Sequence, residues 1–165
     1  MHYLFSIRPR YCAKIFEGSK TVELRRRFGS IGSANSWMFI YETAPTKAVA
    51  GIALIEKVER LAINDLWLTA KARACIDKAD FDLYFDGVSE GVAIHLRSAV
   101  RLTRPLALPE LTATYKTRAP QSYCTLSDED ALKMIAHGKL PPGYEHSDSD
   151  GGRAGDARGL RLAAA

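Results

Sequence analysis

Residues 6–28 read SIRPRYCAKIFEGSKTVELRRRF, and this stretch decides how the rest of the chain is interpreted. It ends one strand, forms a short helix, turns tightly and enters a second strand. Pro9 suits the first helical turn, because its φ is fixed and its missing N–H would have no partner there. Gly18 suits the end, where a left-handed φ closes the helix. Cys12, Ile15 and Phe16 fall on one face, so the helix is expected to pack with its charges outward. Seven basic residues (Arg8, Arg10, Lys14, Lys20, Arg25, Arg26 and Arg27) stand against Glu17 and Glu23, which predicts a basic ledge on a compact scaffold.

Outward from this stretch, residues 3–7 read as a first strand and residues 20–27 as a second. In the second, Val22 and Leu24 are expected inward, while Thr21, Glu23, Arg25 and Arg27 share the other face. Residues 28–36, rich in Gly and Ser, read as a mobile loop. Residues 37–41 and 49–58 are apolar on both parities, as strands covered on both faces are, and Ala44-Pro45-Thr46 joins them. Asn64 or Asp65 is expected to cap a helix carrying Leu66, Trp67, Ala70 and Ala74 at helical spacing. Asp77 caps a second short helix, with Phe81, Tyr84 and Phe85 on one side and Gly87 at its end. Residues 92–102 alternate, giving one long strand with one buried face and one basic face that includes His95, Arg97 and Arg101. Ser127 and Asp130 open a last helix in capping-box fashion, with Leu132 and Ile135 inward and Gly138 closing it.

Residues 139–165 mix both charge signs with little to bury and read as a disordered tail, which leaves one domain over residues 1–138. Strands mixed with short helices, without a regular β-α-β rhythm, indicate an α+β fold on a partly or fully closed small barrel. The 165 residues suffice for a core without staples, and 47% hydrophobic with 25% charged residues is the composition of a soluble globular protein. No apolar run approaches the roughly 20 residues of a membrane span, and no secretory leader is recognised, so a cytoplasmic protein without membrane contact is expected. Three cysteines without a C-x-x-C pair and four scattered histidines predict neither disulfides nor a metal site, and no cofactor is expected. A net charge of +4 and a pI near 9.0 fit a polyanionic partner, and a monomer is favoured.

Gly18, Lys20, Glu23 and Arg25 reproduce the G-x-K-x-x-E-x-R signature of ASCH domains, a branch of the PUA-like superfamily of small mixed β-barrels flanked by short helices. The resemblance extends over SIRPRY at 6–11, the apolar strand with Gly51, DFDLYFDG at 80–87 and APQSY at 119–123, so it covers roughly residues 1–138. It implies a cleft between barrel and helix lined by Lys20, Glu23 and Arg25. Gly18-x-Lys20-Thr21 also resembles an ASCH amidohydrolase that deacetylates N4-acetylcytidine. In that enzyme the matching lysine helps activate attack by a threonine three positions on. Glu23 stands at that position here, which argues against the same chemistry.

A nucleic-acid site needs cations for phosphates and polar or aromatic groups for an unstacked base. Arg8, Arg10, Lys20, Arg25, Arg27 and Arg97 supply the first. Tyr11, Gln121, Ser122 and Tyr123 supply the second, whereas Tyr41 and Tyr84 read as core residues with surface hydroxyls. Pro120 makes residues 117–123 an ordered loop or edge that forms one rim of the cleft. Glu23 is expected to pair with Lys20 or Arg25, to accept from a base amino group, or to act as a general base. The resulting expectation is a binder of RNA or DNA, favouring RNA or single-stranded or flipped bases. The alternative is a hydrolase of RNA or of a modified nucleoside using Lys20 and Glu23, with His95 and Asp80 or Asp82 as possible assistants.

Overall fold

The structure, a computed structural model, describes residues 1–29 and 33–144. Its elements run β1 (His2–Ile7), α1 (Pro9–Phe16), β2 (Val22–Arg25), β3 (Trp37–Glu42), β4 (Ala48–Ala62), α2 (Ile63–Ala70), α3 (Lys78–Phe85), β5 (Glu90–Ala107), α4 (Leu108–Tyr115), β6 (Tyr123–Leu126) and α5 (Asp128–Gly138). The six strands form one mixed sheet in the order β2-β5-β4-β3-β1-β6. β1 and β3 pair in parallel, and every other neighbour is antiparallel.

The barrel is not closed by strand pairing. β2 and β6 are four residues each and remain separate edges, and a side chain spans the gap between them: Arg25 of β2 donates to the Ser6 carbonyl of β1 and to Ser122 just before β6. β4 and β5 are long enough to serve both halves of the molecule, and their pairing shifts register three times, which bends them. At one bend Gly51 meets the Val100 carbonyl and the Phe16 ring so closely that a Cβ would collide with both.

Three packed regions result. β3, β4 and β5 bury one face under α4 and α5. β1 and β3 bury another under α1, with Cys12 and Ile15 fully inside. α2 and α3 cover Val22, Leu24 and Ala93. Val22 and Leu24 face inward as expected, but the exposure expected of the other faces of β2 and β5 is corrected. The face of β2 carrying Glu23 and Arg25 is covered as well, and the expected basic face of β5 instead buries Ala93 and His95.

Several boundaries follow the sequence closely. Gly18 and Gly87 take positive φ, and Asp77 and Ser127 each accept the Asp80 or Asp130 amide as N-caps. Others differ. The N-cap of α2 is Ala62, with no side-chain cap, because β4 runs straight into the helix. α4 and β6 lie where the sequence pattern indicates no helix or strand. Phe28, placed in a mobile loop by composition, is buried among Tyr3, Phe5 and Tyr123, while residues 30–32 of that loop lie outside the described residues. Packing continues past Gly138. The Lys139 carbonyl accepts from Thr103 N–H at 2.9 Å, and Leu140 and Tyr144 pack on the first core. The rest of the expected tail, residues 145–165, lies outside the described residues. Among the described residues no helix is long and apolar enough to cross a membrane, and no His/Cys/Asp/Glu cluster could hold a metal ion.

Candidate functional site

The turn from α1 into β2 is tightly held. Lys20 N–H donates to the Lys14 carbonyl at 2.9 Å, and the left-handed Gly18 reverses the chain. This aims Lys20 inward rather than onto a ledge. Its ammonium donates to the Val22 and Ala74 carbonyls, both at 2.8 Å, and lies 3.2 Å from Glu23 Oε2. Glu23 Oε1 in turn lies 3.1 Å from Arg25 Nη2, which also donates to the Ser6 carbonyl at 3.0 Å. Arg25 Nη1 reaches Ser122 Oγ at 3.3 Å, and its guanidinium sits 5.0 Å from the Phe5 ring centroid. The side chains of Lys20, Glu23 and Arg25 are 4%, 10% and 10% exposed, so the signature residues form a buried chain of alternating charge. Arg25 Nε is buried without a hydrogen-bond partner.

Lys20 has three protons and three acceptors around it, so it has no donor to spare for a phosphate. Each Glu23 oxygen, by contrast, retains acceptor capacity after its one cation contact. Tyr11 adjoins this chain, with Lys20 Nζ 5.1 Å from its ring. Tyr84 is 37% exposed, which corrects its expected core placement. Burial pushes its phenol pKa up, and the nearby Arg25 and Glu23 charges act on it in opposite senses.

The other expected residues divide. Arg8, Arg10 and Arg27 are exposed, as are Gln121 and Ser122 on the rim loop. The rim loop is anchored where Ser6 Oγ donates to the Pro120 carbonyl and Ser6 N–H to the Ser122 carbonyl. Tyr123 is not a free stacking platform. Its ring lies against Phe5 (5.3 Å, 21°) and Phe28 (4.9 Å), and its hydroxyl accepts from Gly29 N–H. Arg97 is outside the cluster; it faces Asn35 and a depression of about 170 Å³ between α1 and β5.

His95 is buried beside Glu59, 2.6 Å away, and corrects the expectation of a surface histidine. It pairs directly with Val22, and directly opposed residues share a face, so it lies on the side of β2 away from Glu23 and cannot assist there. Asp82 is held by Lys78 on the surface of α3. Cys12 is no nucleophile, because burial, helped by Glu42 and Glu23, pushes its thiol up to about 12. Sequence reading missed the Ser6 and Ala74 carbonyls and the Phe5 ring. A carbonyl partner distant along the chain leaves no signal in residue type.

No family model matches the chain. An ASCH domain-containing ribonuclease of Zymomonas mobilis is 30% identical over 134 residues, 81% of this chain and 89% of that protein. The crystal structure of ASCH from Zymomonas mobilis matches with a TM-score of 0.74 at 29% identity, covering 82% of this chain and 94% of that one. A part of the large ribosomal subunit protein uL22 of Ureaplasma parvum is 31% identical over 77 residues, 47% of this chain and 25% of that protein.

Proposed function

Because this chain belongs to the ASCH domain family, we propose that it binds RNA, with an unpaired nucleotide seated over the Glu23 carboxylate and its phosphates on the rim cations. The observation that carries this reading is the buried Lys20–Glu23–Arg25 chain. Two cations fix one carboxylate whose remaining lone pairs can accept from a base amino group or a ribose 2′-hydroxyl, the group that separates RNA from DNA. Lys20 and Arg25 act as positioning residues, while the exposed Arg8 and Arg10, and Arg27 farther along, engage phosphate. The ribosomal and ribonuclease names of the relatives support RNA over DNA.

Cleavage is the second reading, favoured by the ribonuclease name of the relative. Glu23 would take the 2′-hydroxyl proton as that oxygen attacks the adjacent phosphorus. The P–O5′ bond then breaks, a 2′,3′-cyclic phosphate forms, and solvent protonates the departing 5′ oxygen. The saturated Lys20 ammonium does not serve as the acid.

Both readings are tested with end-labelled single- and double-stranded RNA and DNA at two salt concentrations, by anisotropy and by gel. Salt-sensitive binding that prefers single-stranded RNA and weakens in Glu23→Gln is expected. Cyclic-phosphate ends that are absent in Glu23→Gln would add turnover. A folded protein with no affinity for any of the four probes would remove the proposal.

A further inference from the structure

A cleft of about 430 Å³ opens between α1 and the start of α3, within the size range of small-ligand sites. Its walls carry the chemistry of a nucleotide. Tyr11 and Ile76, both half-buried, provide apolar surface, Arg10 and Lys14 line the α1 side, and Asp77 and Asp80 line the other. Tyr11 also touches Lys20, so the cleft adjoins the buried charge chain. Asp77 is committed to its helix cap, accepting Asp80 N–H at 2.8 Å. The Lys14 ammonium makes no hydrogen bond or ion pair among the described residues. Arg10 lies over the Tyr11 ring at 4.6 Å, donates to the Tyr11 hydroxyl at 2.9 Å, and reaches across to Asp80 at 3.5 Å.

We propose that this cleft is a second nucleotide subsite, so that the ligand is an unpaired RNA strand of at least two nucleotides, one over Glu23 and its neighbour against Tyr11. The proposal rests on the reading of the Glu23 site given above. The Arg10–Asp80 contact joins two exposed side chains at the limit of ion-pair distance and holds weakly. A phosphodiester offers the Arg10 fork two oxygens and displaces Asp80. Arg10 then leaves the Tyr11 ring and the base takes its place. A base held in a duplex cannot enter.

The test measures anisotropy of a labelled ten-nucleotide single-stranded RNA, with mononucleotide, dinucleotide and duplex RNA as competitors. It compares the wild-type chain with Tyr11→Ala, Lys14→Ala, Asp80→Asn and Glu23→Gln, each checked for folding by thermal melt. The dinucleotide should compete at least about tenfold better than the mononucleotide, and the duplex poorly. Tyr11→Ala should weaken the ten-mer by about tenfold, the scale of one base–aromatic stack. Lys14→Ala should weaken it, and Asp80→Asn should tighten it by about threefold. If Tyr11→Ala does not fold, the Lys14 and Asp80 variants, which alter side chains at the surface, decide the matter. If the folded Tyr11, Lys14 and Asp80 variants bind like wild type while Glu23→Gln does not, the subsite is overturned and the Glu23 site stands. If the folded wild-type chain binds no RNA, both fall.

Discussion

Lys20 and Glu23 work as one unit, and replacing either alone leaves a buried partner without compensation. Lys20→Ala also strands the Val22 and Ala74 carbonyls, so it is expected to destabilise the fold by about 3–5 kcal/mol. Lys20→Met and Glu23→Met alone should each destabilise, the Lys20→Met/Glu23→Met pair should recover part of that loss, and urea denaturation of these three variants measures the coupling. Glu23→Gln, nearly isosteric, is therefore the cleaner probe of RNA binding. His95 supplies a pH dependence. Burial lowers its pKa from 6.5, and Lys57 and Arg73 act in the same direction, against the opposing pull of Glu59; His2 is lowered likewise, chiefly by burial. The unfolded chain then takes up these protons first as pH falls. Stability is complete above about 6.5 and declines as the pH drops through the window between 6.5 and the lower folded values. Glu59 and Asp128, held below 4.5 and 3.8, add to the loss only in more acidic solution. A urea midpoint that falls between pH 7.5 and pH 5.5 is expected; an unchanged or higher one would contradict the assignment.

At the scale of elements, the bend of β4 and β5 over α1 carries the architecture. It brings β2, the strand bearing Glu23 and Arg25, around toward β1 and β6, and Gly51 makes that approach possible. Gly51→Ala should cost at least about 1–3 kcal/mol, since the Val100 carbonyl is backbone and cannot step aside. Thermal unfolding reads this directly, and a melting point unchanged within a degree would refute it. α1 and α3 owe their positions to different causes. α1 is seated by Cys12 and Ile15 among the β1 and β3 residues, whereas α3 is seated by Phe81 and Phe85 against Val22, Leu24 and Ala93, and Arg26 adds a tie from the end of β2 by donating to the Tyr84 and Asp86 carbonyls at 3.3 and 2.9 Å. The cleft between them is thus framed by two helices that do not depend on one another for packing.

For the molecule as a whole, the packed body runs through Tyr144, whose hydroxyl donates to the Ser98 carbonyl at 2.9 Å. A chain ended after Gly138 should therefore melt lower than one ended after Tyr144, by an amount corresponding to about 2 kcal/mol for the lost Leu140 and Tyr144 packing and hydrogen bonds; equal melting points would return the boundary to Gly138. The local signals of residues 6–28, of Asp77 and of Ser127 determined a helix and its caps, because proline, glycine and capping side chains act on backbone within a few residues of themselves. Those signals, with the alternation of apolar residues, also determined the α+β class and the family signature. The burial of Lys20, Glu23 and Arg25 was decided only in three dimensions, since charge on a strand reads as exposure until the Ser6 and Ala74 carbonyls, Ser122 and the Phe5 ring are brought against it. The same holds for His95 and Phe28. Their environments are built by β4, β1 and β6, partners tens of residues away, and no pattern within one strand or loop records which distant surface will cover it.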